Sequence, residues 1–267
     1  MHESEIIYVF DLDGVITDPK NSEVNTTAVD HLHGLLKKGE LVAINTGRSY
    51  AWVQDNLLQY LAADKASPVL DHLFIACEKG GESLQWRTDD FQLQTSRFAL
   101  PPETYNLSKK IFQQISHNLT TMFWDDTKRT MATIEKRPQA DLETFKAEQQ
   151  LLTAKLQQSV AHKQVKVDST TIATDIESPL AGKQAGAELI YEWATIQHGV
   201  SRAQFICFGD SRSDYSMATY FAAQGANTTF VFVGDKHETF PDTQNITITY
   251  PNAKYALGTI EYLNSYR

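Results

Sequence analysis

Cysteine is scarce: Cys77 and Cys207 are the only two among 267 residues. Two thiols cannot build a disulfide framework or a structural zinc site of three or four thiolates. Each lies in an apolar run, LFIAC or FICF, and reads as a small buried hydrophobe of a reducing compartment. No stretch approaches ~18 consecutive apolar residues, so no transmembrane helix is expected. The opening MHESEIIYVF has neither a basic segment nor a long apolar one, so no signal peptide is visible. A cytoplasmic protein is the expectation. Positive charge is also in short supply: Lys+Arg 24 against Asp+Glu 33 gives −9. Such a surface repels phosphate backbones and anionic lipid, which argues against nucleic acid or membrane as the main partner. It leaves room for one phosphate held in a locally positive pocket. What the chain does have is an ordinary globular share of hydrophobic residues, 42%, in a length suited to one large domain or two small ones.

Short apolar runs recur at Ile6–Phe10, Leu41–Ile44, Leu73–Cys77, Phe205–Phe208, Phe230–Val233 and Ile246–Thr249. Most lack polar alternation, as strands buried on both faces of a parallel sheet do. Between them, Asn25–Lys38, Ser49–Ala62 and Lys183–His198 carry apolar residues at helical spacing, and Gly39 and Gly199 follow the first and last as C-terminal stops. The middle differs. Ser83–Thr88, Phe91–Phe98, Thr121–Arg137 and Val165–Ile176 read as longer, half-exposed strands, with helices over 102–119 and 140–163. The predicted fold is therefore α/β: a Rossmann-like, doubly wound parallel sheet over residues 1–80 and 182–267, interrupted by an α+β domain over 81–181. Gly80-Gly81 and Ala181-Gly182 mark the junctions.

Chemistry gathers at strand ends, where open parallel sheets bind ligands. The first strand runs into Asp11-Leu12-Asp13-Gly14. Strand alternation turns both carboxylates to one side, where they repel unless a cation joins them or one holds a proton. A plain Asp-Gly turn has the same letters. The second strand ends in Asn45-Thr46-Gly47-Arg48 before a helix, which is an anion seat or an ordinary N-cap. Phe205–Phe208 leads to Gly209-Asp210-Ser211-Arg212-Ser213-Asp214, two more carboxylates or an acidic helix cap. Lys183 opens the helix before that strand and, taken alone, is a solvated lysine.

In this order and spacing, FDLDGVITD, NTGR, Lys183 and GDSRSD resemble the four motifs of the haloacid dehalogenase superfamily of phosphotransferases. The insertion between the second and third motifs resembles the branch with a large α/β cap there, which includes sugar-phosphate phosphatases and phosphomannomutase. The resemblance implies Asp11 as nucleophile and Asp13 as general acid and base. It also implies Thr46, Gly47 and Lys183 as phosphate-binding, and Mg²⁺ held by Asp11, Asp13 (through its backbone carbonyl), Asp210 and Asp214, the last also orienting a bound water or Lys183. Arg48, fixed beside Thr46, is a candidate for substrate contact. Weaker candidates are Trp86, Arg87, Trp124, Lys128, Arg129 and Arg137, with Trp124 read more readily as core and Lys128-Arg129 as a solvated turn. The second acid, Asp13, is absent from the dehalogenase branch and replaced by threonine in P-type ATPases, so its presence favours phosphatase or phosphomutase. The implied activity is Mg²⁺-dependent hydrolysis of a small phosphorylated metabolite, a sugar phosphate in the first instance. A phosphomutase and a non-catalytic binding module are the alternatives.

Overall fold

The computed structural model describes residues 5–61, 68–87, 89–160, 163–201, 203–235 and 238–265. Strand β1 (Glu5–Phe10) is followed by helix α1 (Thr26–Lys37), β2 (Leu41–Asn45) and α2 (Tyr50–Val53), whose axis continues through a wide π-type turn at Gln54–Leu58. Then come β3 (Leu73–Cys77), β4 (Glu82–Arg87) and β5 (Asp90–Thr95). Helix α3 (Pro102–Ile115), β6 (Met122–Trp124), β7 (Ala132–Lys136), α4 (Leu142–Val160), β8 (Lys166–Ser169) and β9 (Ala173–Glu177) form the middle. The chain closes with α5 (Lys183–Glu192), β10 (Ala203–Gly209), α6 (Tyr215–Ala223), β11 (Asn227–Phe232), β12 (Ile246–Thr249) and α7 (Tyr255–Ser265).

The larger sheet has the order β12-β11-β10-β1-β2-β3-β4-β5. Neighbours from β12 to β3 pair in parallel, and β4 pairs antiparallel to β3. Alternation within β1 makes both layers of the core. Tyr8 and Phe10 pack with α1, the 50–61 segment and α7, while Ile7 and Val9 pack with α5 and α6. Phe10 stacks on Phe208 at 4.5 Å and Phe205 on Phe221 at 3.8 Å. Fully burying one such side chain contributes about 1.5–3 kcal/mol. This is the doubly wound α/β core expected from the continuous apolar runs.

Residues 1–94 with 182–267 form one compact unit and residues 95–181 another. The division thus falls two strands later than the Gly81 junction expected from sequence. Residues 82–87 look polar, yet they are buried except at Arg87, and Leu84 and Trp86 join the same core as Ile75 and Leu70. They extend the large sheet, so Trp86 and Arg87 belong to it and not to the insertion. Arg87 is held by Gln85 and Gln197, both at 2.8 Å. The expected ends at Ala62 and Thr88 lie outside the described residues.

The second unit is a four-stranded antiparallel sheet of order β6-β7-β9-β8. Its apolar side packs Ile111, Phe112, Phe145, Leu152 and Leu156 from α3 and α4 against Met122, Trp124, Ala132, Ile134 and Ile176. Trp124 is core. Lys128 is not a solvated turn residue: it is 8% exposed, and its carbonyl accepts the Tyr105 hydroxyl at 3.0 Å. Arg129 and Arg137 are exposed. Among the described residues no helix is long and apolar enough to cross a membrane.

Candidate active site

Strands β10, β1 and β2 are parallel neighbours, so their carboxyl ends open on the same edge of the sheet. Each ends in a polar group: Asp210 after β10, Asp11 after β1, and Asn45 and Thr46 at the end of β2. The Asp11 amide still donates to Phe208 O at 3.0 Å, which holds its carboxylate at the sheet edge. The chain then turns sharply through Gly14, whose φ is +70°. A Cβ there would stand 2.7 Å from the Asp210 Cγ, so glycine is required both by conformation and by the approach of that carboxylate.

Carboxylate oxygens of Asp11, Asp210 and Asp214 lie within 4.8 Å of one another. Lys183, the first residue of α5, inserts its ammonium between Asp11 Oδ1 and Asp214 Oδ1, the latter at 2.9 Å, and also donates to Asn45 O at 2.8 Å. Asp214 Oδ2 in turn accepts from Ser211 N at 3.0 Å and Ser211 Oγ at 2.7 Å, a capping arrangement that fixes it in the turn before α6. Burial first, and Asp214 second, push the Asp11 carboxyl well above the usual range, against the pull of Lys183. The same two causes raise Asp210 to about 6. Burial alone would lower the Lys183 ammonium, but Asp11 and Asp214 outweigh it and raise it. Three crowded carboxylates and one lysine leave net negative charge, the condition under which a hard divalent cation is favoured. The donor set therefore fits Mg²⁺.

Asp13 stands apart from this trio. Its carboxylate takes Arg48 Nε at 3.0 Å and Nη2 at 2.7 Å. Arg48 also reaches Ser22 Oγ at 2.7 Å and lies 4.7 Å over the Trp52 ring. The side chain expected to act as general acid and base is thus engaged by the residue expected to touch substrate. Thr46 is fully buried, with its amide on Ala76 O at 2.9 Å and its Oγ1 accepting from Arg48 N at 3.0 Å. Gly47 follows it half-buried. All the expected core residues therefore lie on one edge of the larger sheet. Sequence reasoning missed Asn45, Ser211, Ser22 and Trp52. Ser211 was legible as the first letter of an S-x-x-D cap; the other three are joined only by the fold.

The chain matches no family model and no curated protein sequence. Solved structures do resemble it. A haloacid dehalogenase-like hydrolase from Bacteroides thetaiotaomicron has a TM-score of 0.66 at 15% identity, covering 99% of this chain and 100% of that one. The fold is that of the haloacid dehalogenase-like hydrolases, in keeping with the motifs. More particular likenesses are to two sugar-phosphate enzymes. One is trehalose-6-phosphate phosphatase of Aspergillus fumigatus, with TM-score 0.60, 20% identity, and 98% and 93% of the two chains covered. The other is the sucrose-phosphatase of Synechocystis in complex with sucrose and phosphate, with TM-score 0.56, 16% identity, and 99% and 98% covered.

Proposed function

We propose that this protein is a Mg²⁺-dependent phosphatase that hydrolyses a phosphate monoester of a small metabolite, with sugar phosphates as the substrate class. One observation carries this reading: the carboxylates of Asp11, Asp210 and Asp214 converge at a parallel sheet's carboxyl edge, with the Lys183 ammonium paired to Asp11 and Asp214. The sugar-phosphate class is supported by the names of the trehalose-6-phosphate phosphatase and sucrose-phosphatase that share the fold.

Asp11 is the nucleophile. Its Oδ attacks phosphorus, forming an aspartyl phosphate as the bond to the leaving oxygen breaks, and Asp13 gives that oxygen its proton. A water then loses its proton to Asp13 and attacks the same phosphorus, breaking the acyl-phosphate bond and restoring both acids. Each like-charge pair at ~4 Å costs about 4 kcal/mol at an effective dielectric of ~20. Lys183 offsets this repulsion from one side, with Thr46 and Gly47 binding phosphate oxygens. Mg²⁺, held by the Asp11 and Asp210 carboxylates and the Asp13 carbonyl with Asp214 beside it, supplies the rest of the charge neutralisation when bound. Arg48 orients Asp13 between its two proton transfers.

Residues 95–181 are assigned the role of cap, from their position in the chain between Thr46 and Lys183. A small-molecule substrate, not nucleic acid, accords with the −9 charge. A cytoplasmic setting accords with two buried free thiols.

The test is phosphate release from p-nitrophenyl phosphate and a panel of sugar phosphates, with Mg²⁺ or with EDTA. Turnover of at least one sugar phosphate that stops with EDTA is expected. Hydrolysis indifferent to EDTA, or no hydrolysis of any monoester, overturns the reading.

A further inference from the structure

Asn45 and Lys183 are 138 positions apart and are bound to each other twice. The Lys183 ammonium donates to the Asn45 backbone oxygen at 2.8 Å, and Asn45 Nδ2 donates back to the Lys183 backbone oxygen at 2.7 Å. Asn45 is fully buried. The lysine is therefore gripped at both ends: its main chain by a side chain of β2, its ammonium by the main chain of β2. One turn along α5, Gly186 makes this approach possible. A Cβ there would lie 2.5 Å from Asn45 Cγ and 2.7 Å from its Nδ2, so any larger residue drives the amide from its place.

The pull of Asp11 and Asp214 on the Lys183 ammonium does not fix where the lysine stands, because a four-carbon side chain reaches two carboxylates from several backbone positions. The Asn45 amide removes that freedom by tying the first residue of α5 to the end of β2. Resting on the proposed phosphatase site, we infer that Asn45 is a positioning residue for Lys183, and that Gly186 is its steric counterpart. Asn45 touches neither the phosphate nor the reacting atoms; it sets the distance between the ammonium and the phosphorus by holding the lysine's backbone. A residue that acts only through another has no effect once that other is gone.

The experiment is a double-mutant cycle on the full chain with p-nitrophenyl phosphate and Mg²⁺. It reads kcat and KM separately, inhibition by inorganic phosphate, and melting temperature in parallel. Asn45→Ala and Asn45→Ser are expected to lower kcat by about 10- to 100-fold and to weaken inhibition by inorganic phosphate, since displacement of a positioned group by ~1 Å carries costs of this order. In a Lys183→Ala background, Asn45→Ala is expected to change kcat by less than about twofold, the scatter of independent effects. Gly186→Ala is expected to reproduce the loss in the wild type and to be silent in Asn45→Ala, which keeps the inference testable if one Asn45 variant fails to fold. A folded Asn45→Ala with unchanged kcat and phosphate inhibition overturns it, as does an equal loss with and without Lys183. A wild type that hydrolyses no monoester overturns the reading of the site itself, and this inference with it.

Discussion

Arg48 holds Asp13 with a two-pronged ion pair, Nε at 3.0 Å and Nη2 at 2.7 Å, across 35 positions of sequence. The two side chains are 30% and 45% exposed. A pair this open to solvent is worth about 0–1 kcal/mol of stability. Its value lies in holding one carboxylate in one orientation. Arg48→Ala is expected to move the melting temperature by no more than about 3 °C while lowering kcat by about tenfold or more. Thermal melts and steady-state kinetics on one preparation check this. A large fall in melting temperature with unchanged kcat would assign Arg48 to structure alone.

The surroundings of Asp11 work against its charge. Burial and Asp214 raise its carboxyl well above the ordinary value, so the native site disfavours the ion that the chemistry needs. Asp11→Asn is expected to raise the melting temperature in EDTA and to lower kcat by on the order of 10³-fold or more, as loss of a nucleophile does. Differential scanning calorimetry with a phosphate-release assay measures both. A less stable, still active variant would contradict the assignment.

Asp210 gives a pH signature. Its carboxyl, raised to about 6 by burial and then by Asp214, binds a proton more tightly in the folded chain than in the unfolded one. Its stabilising contribution is therefore complete below the unfolded value near 4 and is lost as pH rises through about 6. In EDTA, the melting temperature of wild type relative to Asp210→Asn is expected to fall between pH 4 and pH 6.5, by roughly 3 °C or more. Parallel melting curves for the two proteins across that range would refute the coupling.

Glu148 carries the opposite sign in the second unit. Burial is the largest single cause and raises its carboxyl, but the bonds from the hydroxyls and amides of Thr121 and Thr120 together outweigh it and leave it lowered. Two of those bonds are 2.8 Å and 2.9 Å long. Its contribution is present above the unfolded value near 4.5 and is lost as pH falls through the lower folded value. Glu148→Ala is expected to cost about 1–3 kcal/mol at neutral pH and nearly nothing at acid pH, measured by urea unfolding of the two proteins at each pH.

The parallel core was readable because β1, β2, β3 and β10 are continuous apolar runs, which only a sheet covered on both faces accommodates. Asp11 was readable because it follows such a run directly, and Thr46 and Asp210 because each follows one a single residue later. Strand β4 was misplaced because Glu82 and Gln85 are buried despite their polarity, and burial of polar side chains depends on partners that no local pattern shows; β5 lies beside it in the sheet. Lys128 was misread for the same reason. The bonds of Arg48 to Asp13 and of Asn45 to Lys183 join distant residues, and only the β10-β1-β2 order brings them together.

The most direct test of the central claim is the mass of the intact protein after acid quench during turnover of a phosphate monoester with Mg²⁺. The account predicts a fraction of wild-type chains heavier by one phosphoryl group, the added mass mapping to the peptide that contains Asp11 and absent from Asp11→Asn. Turnover without a phosphorylated chain, or a phosphoryl group carried on another residue, would contradict it.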